Sequence, residues 1–334
     1  MSIETETETK IPKRIFIVPY RNRVHHKFFF SRQMDFILEG ETDYEIYFSH
    51  QCDRRQFNRG ATRNIGFLAM RKKYPEHYQD ITFIFNDVDT LPFHKIFDYY
   101  TTPGIVKHYY GFRYALGGIV VINGGDFEKI NGYPNYWGWG NEDSALQTRC
   151  YNHGLKIDRS TFYEIGSPEM LQLFDGVSRL VSPQEYHKGK NDNGLDGLTS
   201  INRLTFSVDI ESLNDADNKY TTENPKRKYI NILSFITSTD PNQHSFHEYD
   251  LRKSPNEIIQ PKNEKTDKKM ISVDDWKVFE HIPIPSKQTM RPKTAFRPAP
   301  QVQRIPNPPR VISNMTYNPQ LVPRKTRHYS MKSY

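Results

Sequence analysis

The stretch Asn131-Gly132-Tyr133-Pro134-Asn135-Tyr136-Trp137-Gly138-Trp139-Gly140-Asn141-Glu142-Asp143 decides how the rest of the chain is read. It sets tyrosines and tryptophans among three glycines and closes on two adjacent carboxylates. Glycine lets backbone approach a ligand closely and adopt conformations that other residues avoid. Trp and Tyr present flat apolar faces with one polar handle each, which suits a sugar ring. Glu142 and Asp143 are neighbours, so only one faces a given pocket wall unless the backbone turns between them. A plain surface turn does not need Trp-Gly-Trp-Gly run directly into Glu-Asp, and the stretch therefore reads as a binding site.

Upstream lie short apolar runs that read as buried strands. Arg14-Ile15-Phe16-Ile17-Val18 is one, and Pro19-Tyr20-Arg21-Asn22-Arg23 follows at its carboxyl end. Ligands of open α/β sheets collect outside the carboxyl ends of strands, so Arg21 and Arg23 either hold a nucleotide and its phosphates or face solvent. Arg32 to Leu38 reads as a helix and Tyr44 to Ser49 alternates like a strand. Phe57-Asn58-Arg59-Gly60 leads into Ala61, Ile65, Leu68 and Ala69, an apolar stripe at helical spacing. Asn58 and Arg59 stand at the start of that helix, where a phosphate also meets free backbone N–H groups.

Ile81-Thr82-Phe83-Ile84-Phe85 is a further strand and delivers Asn86-Asp87-Val88-Asp89 to its carboxyl end. Two carboxylates one residue apart in extended chain point the same way, and hard oxygen ligands suit Mn²⁺ or Mg²⁺ held against a diphosphate. Acidic strand ends are common, and the pattern alone is weak. A haloacid-dehalogenase-type phosphatase needs Thr or Val where Leu91 stands, which counts against that class. Leu116 to Ile122, opened by Gly117 and Gly118, is a fourth strand, and Asp126 to Ile130 a short helix. Ser144 to His153 continues as a helix with Glu142 and Asp143 at its start, where the helix dipole favours carboxylates. Lys228 to Phe235 reads as the last core strand. Strands alternating with helices give an α/β class.

With 334 residues the chain is long enough for one large or two ordinary domains. Its net charge of +7 is unevenly placed. Residues 240–334 hold 17 Lys+Arg against 9 Asp+Glu, which leaves the front of the chain near neutral and argues against nucleic-acid binding there. Thirteen of the 22 prolines fall in the same segment, and from His281 to Tyr334 there is no Asp or Glu. Such a composition does not offset chain entropy by burial, so it reads as a disordered basic tail that docks on an acidic partner or only solubilises. Two cysteines, Cys52 and Cys150, permit one disulfide but no framework. Met1 to Lys10 is acidic and polar, unlike a signal peptide, and no run of about 18 apolar residues follows. The expected address is soluble and cytoplasmic. Richness in Asn, Lys, Ile and Tyr points to an AT-rich genome such as a protist's or a large DNA virus's, leaving a viral factory or virion open.

Taken together, the blocks resemble the β-1,4-galactosyltransferase family (glycosyltransferase family 7). Its signature runs roughly Asn-Gly-Phe-Pro-Asn-Asn-Tyr-Trp-Gly-Trp-Gly-Gly-Glu-Asp-Asp. Here one Asn is missing, Asn141 replaces a Gly and Ser144 replaces an Asp. The family's Pro-Phe-Arg-Asn-Arg, Phe-Asn-Arg-Ala, Asn-Val-Gly-Phe and Phe-Gly-Gly blocks are matched from Pro19, Phe57, Asn64 and Leu116, and its Asp-Gly-Leu-Asn-Ser-Leu from Asp196. The resemblance covers residues 14–236 and implies a GT-A fold, a Rossmann-like sheet holding a UDP-sugar and a metal ion.

The same resemblance implies roles. Asp143 would be the base that takes the acceptor hydroxyl's proton, with Glu142 beside it on the donor sugar. Pro19, Arg21, Arg23, Phe57, Asn58, Arg59, Asp87, Val88, Ala115, Gly117, Gly118, Trp139 and Gly140 would line the donor site. Tyr136, Trp137 and Ser144 would meet a glycan or glycoprotein acceptor. Asp89 would hold Mn²⁺ or Mg²⁺, helped by Asp87, Met170 or His187, because the family's Met-x-x-His is incomplete here. Galactosyltransferases carry Tyr at the place of Ala115, so UDP-galactose and UDP-N-acetylgalactosamine are both candidate donors. The organisation expected is a disordered N-terminus over 1–12, a GT-A domain over 13–237 and a largely disordered tail over 238–334. A catalytically inactive sugar- or nucleotide-binding relative, or a scaffold acting through the basic tail, is the alternative.

Overall fold

The computed structural model describes residues 11–214, 218 and 224–253. The chain opens with β1 (Arg14–Tyr20), α1 (Val24–Ile37), β2 (Tyr44–Gln51) and α2 (Arg59–Lys73). It continues through β3 (Thr82–Asn86), β4 (Thr90–Pro92), β5 (Ile105–Gly111), β6 (Ile119–Asn123) and α3 (Gly124–Lys129). Next come α4 (Glu142–Asn152), β7 (Lys156–Asp158), β8 (Tyr163–Glu164), β9 (Met170–Gln172), β10 (Ser178–Val181) and α5 (Pro183–Lys190). The described part closes with β11 (Asn202–Asp209), β12 (Arg227–Ile236) and β13 (His247–Asp250).

The main sheet runs β11-β12-β2-β1-β3-β6-β5-β7, with β8 also pairing β5. β1 lies parallel to β2 and β3, and β12 parallel to β2, whereas β6 turns antiparallel to β3. Every residue of β1 and β3 is buried, as strands covered on both faces require. Alternation sends Ile15 and Ile17 to the face where α2 packs Ile65, Phe67 and Met70. Phe16 and Val18 go to the opposite face, against Phe30 and Met34 of α1. The parallel strands leave their carboxyl ends, Tyr20 and Asn86, at one rim, and the loops there build the site.

Several expectations shift. The helix read over Arg32–Leu38 begins at Val24, because its buried set is Lys27, Phe30, Ser31, Met34 and Ile37. That set has helical spacing, but Lys27 and Ser31 hide it from a hydrophobicity pattern; Lys27 Nζ donates to Tyr229 Oη at 2.8 Å. The strand read from Leu116 starts at Ile119, since Gly117 and Gly118 form the turn before it. The one disulfide that the two cysteines permit is not formed between Cys52 and Cys150. The boundary expected at 237/238 falls short. The chain goes on through a 3₁₀ turn at Pro241–Gln243 and through β13, which pairs antiparallel with β10. The remaining tail, like residues 1–10, lies outside the described residues.

Candidate functional site

The site sits where the turn after β3, the first turn of α2 and the first turn of α4 meet. Asp87 and Asp89 do not continue the strand; they lie in the turn between β3 and β4, so strand alternation does not govern them. Arg59 and Arg63, one turn apart on α2, reach across to this turn and to α4. Arg59 Nη1 donates to Glu142 Oε1 at 2.5 Å and to Asp143 Oδ2 at 2.8 Å, and its Nη2 pairs with Asp87. Arg63 Nη1 donates to Asp143 Oδ1 at 2.6 Å and its Nη2 to Asp87 Oδ1 at 2.7 Å. Three carboxylates and two guanidiniums thus form one cluster.

Burial alone would push the Asp87 carboxyl up, but the charges of Arg59 and Arg63 outweigh it and hold it below the usual carboxylate range. Glu142 goes the other way, raised by burial and then by the charge of Asp143. Asp89 is raised by burial and by the charge of Asp87.

Gly117 and Gly118 hold both sides together. A Cβ at Gly117 would lie 2.6 Å from Asp143 Oδ2, so a side chain there would displace the carboxylate. The Leu116 N–H donates to the Asp143 carbonyl at 2.9 Å, and the Asp87 N–H donates to the Gly118 carbonyl at 2.9 Å. Ala115 is buried beside this turn, whereas Tyr114 is 67 % exposed and stacks on Phe112. Asn141, standing where the family signature has Gly, caps α4 with φ of 68°. Asn is among the few residues that accept this left-handed conformation, which is why the exchange leaves the loop intact.

The remaining predicted residues divide. Asp89 lies 3.8 Å from Arg23, which also pairs with Asp175. Pro19 is buried in β1 and Val88 is buried within the acidic turn. Arg21 points away, donating to the carbonyls of Asp53 and Arg55, and burial holds it down to about 10. Asn58 is a structural cap: its side chain accepts from the Ala61 N–H and donates to the Asn135 carbonyl. Phe57 contributes its carbonyl to the Gly138 N–H at 3.2 Å, and Gly140 packs near Tyr186.

Trp139 is 38 % exposed, but Trp137, expected to meet the acceptor, is a core residue at 1 %. It stacks on Phe235 at 5.4 Å and donates from Nε1 to Thr237 Oγ1. Tyr136 is buried too, with its hydroxyl 3.3 Å from Asp192. Ser144 is half-buried in the first turn of α4. Met170 is buried opposite Pro92 in the apolar cluster under Val88 and Leu91. His187 is exposed on α5 and lines a separate cavity of about 450 Å³ with Tyr136, Asp192 and Ser238. Sequence reasoning missed Arg63 and Asp175. The four-residue step from Arg59 to Arg63 was the one available signal for the first.

A divalent cation is implied by the family resemblance. Asp87 and Asp89 are hard anionic donors at a strand end, which fits such an ion. Among the described residues no group of three or more His, Cys, Asp or Glu is arranged to hold a metal. An ion bound here would complete its shell with phosphate oxygens and water, as Mg²⁺-type sites do.

A family model described as the N-terminal region of glycosyl transferase group 7 matches residues 6–102, and one described as the N-terminal domain of galactosyltransferase matches residues 104–172. Residues 6–172 match glycosyltransferase family 7. Human β-1,4-galactosyltransferase 4 is 35 % identical over 222 residues, covering 62 % of this chain and 63 % of that protein. Bovine β-1,4-galactosyltransferase 1 is 29 % identical over 210 residues, covering 59 % and 51 %. Against the mouse form of β-1,4-galactosyltransferase 4 the share of both chains is 46 %. The chain therefore aligns with between about half and under two thirds of the length of these curated relatives.

The fold is that of the catalytic domain of Drosophila β1,4-galactosyltransferase 7, solved with xylobiose. The TM-score is 0.52 at 21 % identity, over 70 % of this chain and 97 % of that one. A mutant of the same Drosophila protein, solved with manganese, UDP-Gal and xylobiose, gives a TM-score of 0.51 at 19 % identity. No helix among the described residues is long and apolar enough to cross a membrane.

Proposed function

We propose that this chain transfers galactose or N-acetylgalactosamine from a UDP-sugar to a hydroxyl of a glycan or glycoprotein, with inversion and a divalent cation. The observation that carries it is the Asp143 carboxylate, set against the Gly117 backbone and held by Arg59 and Arg63 beside the acidic turn. Each Asp143 oxygen accepts one arginine N–H and keeps a lone pair for an acceptor hydroxyl. In the reaction Asp143 takes the hydroxyl proton as general base. The acceptor oxygen bonds to the anomeric carbon from the face opposite the diphosphate. The bond from that carbon to UDP breaks, UDP leaves with its electron pair, and the new linkage is β. Arg59, with its side chain 20 % exposed, is the member of the cluster able to meet the diphosphate. Trp139 offers its open face to the sugar. Asp89, with Asp87 nearby, would hold the cation, whose chemistry is to neutralise charge on the departing diphosphate.

A screen of UDP-sugars for Mn²⁺-dependent UDP release tests this reading against that of an inactive sugar-binding relative. No release with any sugar rejects transfer. Asp89→Asn removes one anionic ligand while keeping the shape. It is expected to raise the Mn²⁺ concentration needed for half-maximal release by about tenfold or more, since a lost charge-assisted contact is worth roughly 1.5–3 kcal/mol. An unchanged Mn²⁺ titration argues against Asp89 as a ligand.

Donor choice is read at Ala115. A small side chain where galactosyltransferases carry Tyr leaves room for an acetamido group, and unfilled space forfeits contacts with galactose. Ala115→Tyr is expected to lower turnover with UDP-N-acetylgalactosamine relative to UDP-galactose by about tenfold, the scale of a 1–2 kcal/mol steric clash. The measurement is the ratio of kcat/KM for the two donors, and a ratio that does not move places Ala115 off the sugar pocket.

A further inference from the structure

We propose that β13 is a working part of the donor site, a strap whose Tyr249 positions Trp139; this rests on the transfer function proposed above. β10 has four residues, and its ladder partner is β13, in the register Ser178↔Asp250, Arg179↔Tyr249, Leu180↔Glu248 and Val181↔His247. A two-stranded ribbon of this length is marginal alone. It is held here by packing among Val181, Tyr186 and Tyr249.

The ribbon touches the Trp-Gly-Trp-Gly loop at three points. The Trp139 N–H donates to the Leu180 carbonyl at 2.8 Å. The Trp139 ring stacks on Tyr249, with centroids 6.5 Å apart and planes 20° from parallel. Gly138, at φ of +84°, presses so close that a Cβ would lie 2.9 Å from the Leu180 carbonyl oxygen and 3.2 Å from the Phe246 ring. A tryptophan between two glycines has little local restraint of its own, so its place is set by what it leans on.

The same ribbon reaches the other end of the site. Arg179, opposite Tyr249, donates to Asp175 Oδ1 at 2.8 Å; Asp175 pairs with Arg23, and Arg23 lies 3.8 Å from Asp89. One short ribbon thus connects the sugar-facing tryptophan to the acidic turn. Residues 244–250, far from the family blocks in sequence, pre-order the donor wall and reduce the ordering cost of binding. Tyr249 does not enter the reaction and acts through Trp139.

The test uses the full chain carrying Trp276→Phe, which leaves Trp137 in the core and Trp139 at the surface. Tyr249→Ala and Phe246→Ala are compared with Tyr249→Phe by acrylamide quenching of tryptophan fluorescence. KM and kcat are measured with UDP-galactose and UDP-N-acetylgalactosamine in Mn²⁺. Loss of the ring stack is expected to raise quenching and to raise the donor KM about 2–10-fold, the scale of an aromatic pair, with a much smaller change in kcat. Tyr249→Phe is expected to behave as the parent. Parent-like quenching in both alanine variants, or a parent-like KM beside raised quenching, overturns the proposal. A parent that turns over neither sugar removes the transfer reading, and the quenching then decides the strap alone.

Discussion

Asp143→Asn is expected to lower sugar transfer by about 10²–10⁴-fold, the usual cost of a missing general base. The amide keeps the volume of the carboxylate, so the fit against Gly117 and the Leu116 N–H contact to the backbone carbonyl both survive. What goes is the ability to accept the hydroxyl proton, together with one acceptor for the two arginines. UDP binding, followed by calorimetry in Mn²⁺, is expected to stay close to that of the parent, because the diphosphate side of the cluster is built from Arg59 and the acidic turn. Transfer persisting within a few-fold would reduce Asp143 to a structural anchor for α2 and α4.

The second large effect is on stability. Arg63 has a fully buried side chain, lies 4.6 Å over the Tyr133 ring and bridges Asp87 and Asp143. Arg63→Met fills much of the same space but leaves three acidic groups facing Arg59 alone. Removing one partner from a buried charge cluster typically costs about 3–5 kcal/mol. For a folded unit of this size that corresponds to a fall in Tm on the order of 10 °C. Arg63→Lys keeps the charge but cannot reproduce the two-pronged contact, and an intermediate Tm is expected. A methionine variant that melts with the parent would show that Asp87 and Asp143 are adequately held without Arg63.

The strands and the chemistry of the site are written locally. β1 and β3 are built on the apolar runs Ile15–Val18 and Phe83–Phe85, and the chain leaves the sheet after Tyr20 and Asn86, at the carboxyl ends. Asn58 caps α2 through its own side chain, a contact made within three residues. Glu142 and Asp143 open α4 because the glycine-rich loop before them ends in a residue that accepts φ of 68°. These features depend on neighbours in the chain, and a single sequence carries them.

Other features depend on partners brought from far away. Nothing near Arg63 marks it as buried; it is so because carboxylates 24 and 80 residues distant converge on it. Trp137 and Trp139 look alike in sequence, yet one is sealed against Phe235 of β12 and the other stays open beside β13. The segment after Ile236 is polar enough to read as tail, and its strand exists because β10, about 70 residues earlier, offers a matching edge. A side chain's type and spacing determine what it can do, and the sequence alone determined the α/β class, the place of Asp87 and Asp89 after β3, and the place of Glu142 and Asp143 at the start of α4. Which arginine is buried, which tryptophan stays exposed and the strand after Ile236 were decided only by tertiary structure. Those outcomes depend on desolvation and packing against surfaces that exist only once the sheet has formed.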